Sequence, residues 1–259
     1  MGLAKINAVW IGAELGAIHA ACLASFLRHG HEVVLHAYEE PRDVPRGVIV
    51  ADADELLLRG RMFRHKKTGS LAPFVDLMRY EILSKGLGLY VDCDIYCLKP
   101  MIDADYIFGW QVDHSINNAV LKLPVDCPTL RSLSMIKDMW QFLPPWESWK
   151  RRLKWRFQYA VGKGRLRHLP YGSTGPYALT WFLRKYGLLS RALPQDVFYP
   201  LPPAEAARLL DPGLSVADIA TPNTVALHLY NEALHRRMGA AIPDTSPLGE
   251  IVSSLGATS

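Results

Sequence analysis

An α/β fold built on a mostly parallel sheet follows from three features of this sequence. The chain opens with a short apolar run at Ile6 to Ile11, an amphipathic stretch at Gly12 to Arg28, and a second β-branched run at Glu32 to Ala37. That strand–helix–strand order favours parallel neighbours joined by crossover helices. Further on, a strongly periodic helix at Pro73 to Lys85 feeds another dense apolar run at Leu87 to Leu98. Finally, 259 residues, 49% of them hydrophobic and 21% charged, suit a substantial core and exclude a disordered chain.

The elements can be justified in order. Leu15, Ile18, Cys22, Leu23 and Phe26 recur at helical spacing, and His29-Gly30-His31 closes that helix with glycine in its usual C-terminal role. Pro41, Pro45 and Gly47 mark a turn-rich stretch before a third short strand at Val48 to Val50. Asp52 to Phe63 is expected to be helical and Arg64 to Leu71 a loop. The helix at Pro73 to Lys85 is the clearest in the chain: proline at its start, Lys85-Gly86 at its end, and Phe74, Leu77, Met78 and Ile82 as its apolar stripe. Tyr171 to Tyr186 reads as a loop feeding a helix, Pro194 to Pro203 as irregular, and Thr224 to Tyr230 as a last strand. One domain is expected over residues 1–239, with a basic aromatic segment at 140–169 and a loose tail at 240–259.

Composition narrows the function classes. A net charge of +4 is mild and gives no ground for a nucleic-acid partner. Cys22, Cys93, Cys97 and Cys127 form no CxxC pair, so they are expected as small buried thiols in a reducing compartment. The N-terminal stretch lacks the layout of a secretory signal, and Glu14, His19 and several glycines interrupt the apolar run from Ala8 to Leu27. Ile6 stands where a myristoylation signal wants Ser or Thr. The expectation is a cytoplasmic protein.

Two carboxylates carry the chemistry. Asp92 and Asp94 are one residue apart on the expected strand, so alternation puts Tyr90, Asp92, Asp94 and Tyr96 on one face. Carboxylates that close repel when both are ionised, and a divalent cation relieves the repulsion; oxygen ligands favour Mg²⁺ or Mn²⁺. An isolated D-x-D is common by chance. This one follows an apolar strand, and open α/β sheets bind ligands beyond the carboxyl ends of their strands. On the preceding helix, Asp76 shares a face with Arg79 and Tyr80. Taken alone, such a pair is ordinarily a solvated surface ion pair.

Together, Phe74 to Pro100 (FVDLMRYEILSKGLGLYVDCDIYCLKP) closely resembles the signature of glycosyltransferase family 32, the DxD sugar transferases that include yeast initiating mannosyltransferases and bacterial capsule and lipopolysaccharide transferases. That signature is an F-S-D-x-x-R-Y-x-x-L helix, a G-G-x-Y-x-D-x-D strand and a trailing L-K-P. Val75 replaces the usual Ser, and Leu87-Gly88 the usual Gly-Gly. Val9 to Gly12, Phe26 to Tyr38, Asn117-Asn118-Ala119, Thr174-Gly175-Pro176 with Leu179-Thr180, and Ala226 to Tyr230 also resemble family segments; the match is patchy between Pro124 and Pro170.

The resemblance implies a GT-A fold and a retaining, metal-dependent transfer of a sugar from a UDP- or GDP-linked donor to a glycan or lipid-linked acceptor in cell-surface polysaccharide synthesis. It implies Mn²⁺ or Mg²⁺ on Asp94 and Asp92, with His228 as a further contact. Asp76 and Arg79 would hold the donor sugar, Tyr90 the ribose or sugar, and Trp10 the base. Asn118 and the Gly175 loop would line the donor-sugar and acceptor side. The competing classes are a catalytically inactive sugar- or lipid-binding module and a metal-dependent phosphoesterase. The module would be favoured by loss of the carboxylates, which are intact; the phosphoesterase would need more acidic or His ligands than the sequence offers.

One stretch stands outside this scheme. Residues 149–168 contain Lys150, Arg151, Arg152, Lys154, Arg156, Lys163, Arg165 and Arg167, no acidic residue, and Trp149, Trp155, Phe157 and Tyr159 interleaved. Such a segment can lie on the anionic inner face of a membrane, receive an anionic acceptor, or be a solvated helix with its aromatics packed inward.

Overall fold

The computed structural model describes residues 2–138, 142–161, 166–231, 234 and 242–258. In chain order the elements that position the site are β1 (Ile6–Trp10), α1 (Ala17–Arg28), β2 (Val33–Ala37), β3 (Ile49–Asp52), α2 (Ala72–Ser84), β4 (Leu89–Val91), β5 (Ile95–Cys97), β6 (Trp110–Val112), β7 (Ser115–Ile116) and β8 (Val120–Leu121). They continue with α3 (Pro128–Ser134), α4 (Trp149–Ala160), α5 (Pro176–Lys185), α6 (Gln195–Phe198), α7 (Val216–Ile219), β9 (Ala226–His228) and α8 (Pro247–Ser253).

The central sheet has the order β3-β2-β1-β4-β8. Its first three pairings are parallel, and β8 closes the far edge antiparallel to β4. The expected α/β class, a mostly parallel sheet flanked by helices, is therefore present. β1 and β2 are almost wholly buried, as expected for strands covered on both faces. One core layer includes Phe74, Met78, Tyr90 and Leu179; the other includes Ile6, Ala8, Leu23, Leu89 and Val91. Alternation along β4 thus sends Tyr90 one way and its neighbours Leu89 and Val91 the other.

Gly88 feeds β4 at φ 132°, and a Cβ there would lie 2.5 Å from the Lys5 carbonyl oxygen. Of the two positions where the resembled signature carries Gly-Gly, this is the one whose backbone demands glycine. Behind it, the buried Asn7 amide donates to the Leu87 carbonyl at 3.0 Å and its oxygen meets His36 Nε2 at 3.0 Å, tying β1, β2 and the entry to β4 together. Burial holds the His36 imidazole down at about 4.

Four expectations need correction. Leu87 to Leu98 is not one strand: the chain turns at Asp92, where Ile95 N–H donates to the Asp92 carbonyl at 3.1 Å, and β5 pairs with β9 in a separate two-stranded sheet. Asp52 to Phe63 forms two short 3₁₀ turns, Ala53–Glu55 and Arg59–Arg61, instead of a helix. Asp52 accepts from Asp54 N–H at 2.8 Å and Asp54 from Arg59 N–H at 2.6 Å, so side chains capture the amides a helix would need. The stretch Pro194 to Pro203 contains α6, with Phe198, Tyr199 and Leu201 in the core. Finally, part of the stretch expected as a loose tail is α8, capped by Ser246 and packed with Leu248 and Ile251 against Ile18, Ala21 and Cys22 of α1; residues 240 and 241 lie outside the described residues. All four cysteines are buried and free.

The docking of α8 is testable. Ile251 is fully buried, so Ile251→Ala should cost about 2–4 kcal/mol in urea unfolding. A loss below about 0.5 kcal/mol would mean the segment is loosely attached.

Candidate active site

The site forms where β4 leaves the central sheet. Two elements converge on Asp92. From α2, Arg79 donates through one Nη to Asp76 Oδ1 at 3.0 Å and through the other to Asp92 Oδ1 at 2.6 Å. From β4, the Tyr90 hydroxyl donates to the same Asp92 oxygen at 2.7 Å, and its ring lies 4.4 Å beneath the Arg79 guanidinium. Asp76 and Arg79 are almost wholly buried, with side-chain exposures of 8% and 4%, while Asp92 keeps 30%. The pair is not the solvated surface bridge its spacing alone would suggest. It is the buried link between helix and strand end.

Asp76 is held from two further sides. Asn118 donates to its Oδ1 at 2.8 Å and the Thr174 hydroxyl to its Oδ2 at 2.7 Å. The Tyr80 hydroxyl fixes the same loop by donating to the Thr174 carbonyl at 2.6 Å. A Cβ on Gly175 would sit 2.8 Å from both Asp76 oxygens and 2.9 Å from the Asn118 amide, so only glycine lets the loop close this tightly. Burial pushes the Asp76 carboxyl above its ordinary range, against the opposing pull of Arg79, Thr174 and Asn118. Asn118 reaches it because Asp92 N–H donates to the Ala119 carbonyl at 2.7 Å, which continues the β4–β8 ladder past its last pair.

Asp94 belongs to the other sheet. Its Oδ2 accepts from Asn231 N–H at 3.0 Å, its Oδ1 lies 3.3 Å from His228 Nε2, and its carbonyl accepts from Leu229 N–H at 3.0 Å. Burial raises this carboxyl's pKa, but His228, the Asn231 amide and His19 outweigh it and hold the group below the usual carboxylate range. His228 reaches Asp94 because β5 and β9 pair Ile95 with His228. Tyr230, at φ 51°, turns the chain so that the Asn231 amide points back at the carboxylate.

Asp92, Asp94 and His228 each offer a donor atom, and these atoms lie within 4.8 Å of one another. Two carboxylates and an imidazole could hold a divalent cation, and three protein donors would leave coordination positions open for other oxygens. All three residues line a cleft of about 510 Å³, together with Asp76, Arg79 and Asn118. Tyr171 and Tyr177 line it too, with 43% and 53% of their surfaces exposed.

Six of the nine residues singled out from sequence thus line one cleft. Of the others, Tyr90 lies beneath Arg79 and touches Asp92, and Gly175 seats Asp76. Trp10 is not among the lining residues. Its indole N–H donates to the Glu14 carbonyl at 3.0 Å, and its ring packs on His19 at 4.5 Å. His19 in turn meets the Asn231 side chain at 2.8 Å, which connects Trp10 indirectly to Asp94. Sequence reasoning passed over Thr174, Tyr80 and Asn231. Thr174 and Tyr80 stand inside motifs that were visible; Asn231 acts through its backbone, which no side-chain pattern announces.

No family model matches the chain, and no curated protein matches its sequence. Among solved structures it is similar to one described as PaToxG Glycosyltransferase, at 12% identity and a TM-score of 0.44, over 72% of this chain and 70% of that one.

The buried network has a measurable signature. Asp76→Ala leaves Arg79 buried with half its partners and should cost about 3–5 kcal/mol in chemical denaturation. A solvated pair would lose under about 1 kcal/mol.

Proposed function

We propose that this chain is a retaining, metal-dependent glycosyltransferase of the GT-A type, related to glycosyltransferase family 32. It would move a sugar from a UDP- or GDP-linked donor to a glycan or lipid-linked acceptor, in the cytoplasm and in the making of a capsule, lipopolysaccharide or similar surface polysaccharide. The observation that carries this reading is the convergence of Asp92, Asp94 and His228 in the cleft that also exposes the Asp76–Arg79–Asn118 network. Three carboxylates there face one guanidinium, so a divalent cation would balance the formal charge.

Asp92, Asp94 and His228 would hold the cation. The chemistry it supplies when bound is neutralisation of the diphosphate as the sugar departs. Asp94 is aimed by the Asn231 amide and Asp92 by Arg79 and Tyr90, so binding would mainly exchange the Asp94–His228 pairing for contacts to the cation. Arg79 has both terminal nitrogens engaged by carboxylates, so its main task is to orient Asp92. Asp76 and Asn118 line the cleft from beneath and would supply polar contacts for donor-sugar hydroxyls. Tyr171 and Tyr177 offer aromatic faces on which a sugar ring of the acceptor can pack. Trp10, on the far side of His19, would meet the base only at the margin of the site.

The test is donor binding and hydrolysis across UDP- and GDP-sugars, with Mn²⁺ and with chelator. One donor should be hydrolysed in a metal-dependent way. Asp92→Ala and Asp94→Ala should each lower that turnover by more than about a hundredfold. Near-normal turnover in both variants would remove the assignment.

A further inference from the structure

The basic segment is a helix whose aromatics divide between two faces. In α4, Tyr159 is buried and donates its hydroxyl to the Phe142 carbonyl at 2.8 Å, and Trp155 packs against the core. These two anchor the helix to the body of the protein. On the opposite side Trp149, Leu153, Phe157 and Val161 recur every four residues, so they form one stripe along the helix. That stripe is open to solvent: Trp149 and Phe157 are each 69% exposed, Leu153 59% and Val161 48%. Lys150, Lys154 and Arg156 border it and are themselves exposed; Arg151 pairs with Glu147 at 2.9 Å. Trp140, Lys163 and Arg165 of the same basic segment lie outside the described residues.

We infer that α4 docks the protein on an anionic lipid surface, with Trp149, Leu153 and Phe157 inserted at the headgroup level and the flanking cations against lipid phosphates. Three features select this occupant. Cations without a matching acidic set call for an anionic partner. A polyanion in water, whether nucleic acid or acidic glycan, would be met by the cations alone and gives Leu153 and Val161 nothing to bury in. A bilayer interface takes both: apolar side chains enter the acyl boundary while Lys and Arg remain among the headgroups. Among the described residues no helix is long and apolar enough to cross a membrane, so the contact lies in the plane of the surface. The inference stands on α4 alone and does not depend on what reaction the cleft performs.

The test is flotation of the whole protein with phosphatidylcholine vesicles, with and without phosphatidylglycerol. Binding is expected only to the anionic vesicles, weakening as salt rises, with Trp149 fluorescence shifted to the blue on insertion. Trp149→Ala combined with Leu153→Ala and Phe157→Ala should lower vesicle affinity by more than about tenfold. Lys150→Gln with Lys154→Gln and Arg156→Gln should lower it by about tenfold or more. Both sets alter exposed side chains, and an unchanged melting curve checks that the fold persists. No binding to either vesicle would overturn the inference. So would binding that ignores the apolar triple, or salt-sensitive binding to heparin or RNA with none to vesicles, since each leaves a purely ionic surface. A dimer in sedimentation that the apolar triple dissolves would assign the stripe to a second copy of the chain instead.

Discussion

The Arg79 guanidinium is the interaction on which the site depends. Buried charge is tolerated when it is paired, and the two terminal nitrogens of Arg79 are paired with Asp76 of its own helix and Asp92 at the end of β4. That requirement fixes the distance between α2 and the strand. It also draws in the Thr174–Gly175 loop and Asn118, because Asp76 has more lone pairs than Arg79 can satisfy. One cation placed at i+3 from an aspartate therefore organises four segments far apart in the chain. A hydrophobic pair would pack as well but would not specify which oxygen of Asp92 is held and which is left for the cleft.

The second constraint is the turn between Asp92 and Asp94. Had β4 run on straight, both carboxylates would have stood on one strand face and answered to one sheet. Because the chain turns there, Asp92 stays with β4 and Asp94 passes to the sheet formed with β9. The carboxylates are positioned by independent hydrogen-bond sets, and His228 arrives from the partner strand. A cation between them would bridge two sheets, so binding and local rigidity are coupled.

Much of this was legible in the sequence, for identifiable reasons. β1, α1, β2 and α2 each carry strong periodicity, and they appear where expected, with α1 starting at Ala17, five residues after the expected Gly12, and the other boundaries shifted by a residue or so. Asp92, Asp94 and His228, the residues proposed to hold a cation, and Asp76, Arg79 and Asn118 were named because they sit inside recognisable motifs. What failed had a local competitor. The Asp52 and Asp54 side chains took the amides of a would-be helix, and a β-turn interrupted an apolar run whose composition was continuous. α8 was missed because Gly249 lowers its helix propensity, yet a Cβ there would lie 2.3 Å from the Pro243 carbonyl oxygen. The glycine exists for close packing, and such packing has no period to read. The environment of Asp76 was misjudged for a similar reason: spacing says that it meets Arg79, but only the tertiary fold says that both side chains are buried.

Burial decides what these side chains can do. In solvent an aspartate three residues before an arginine does little, since screening weakens the attraction. Under the Gly175 loop the same pair is rigid, and the nearby Asp92 inherits that rigidity through a 2.6 Å hydrogen bond. Carboxylates set in place beforehand would hold a cation with little reorientation as it binds. Glycine at 175 then bears on the setting of Asp92 as well as on steric fit. A larger residue would push the loop away from Asp76, expose Arg79 and loosen Asp92, while leaving Asp94 and His228 where they are.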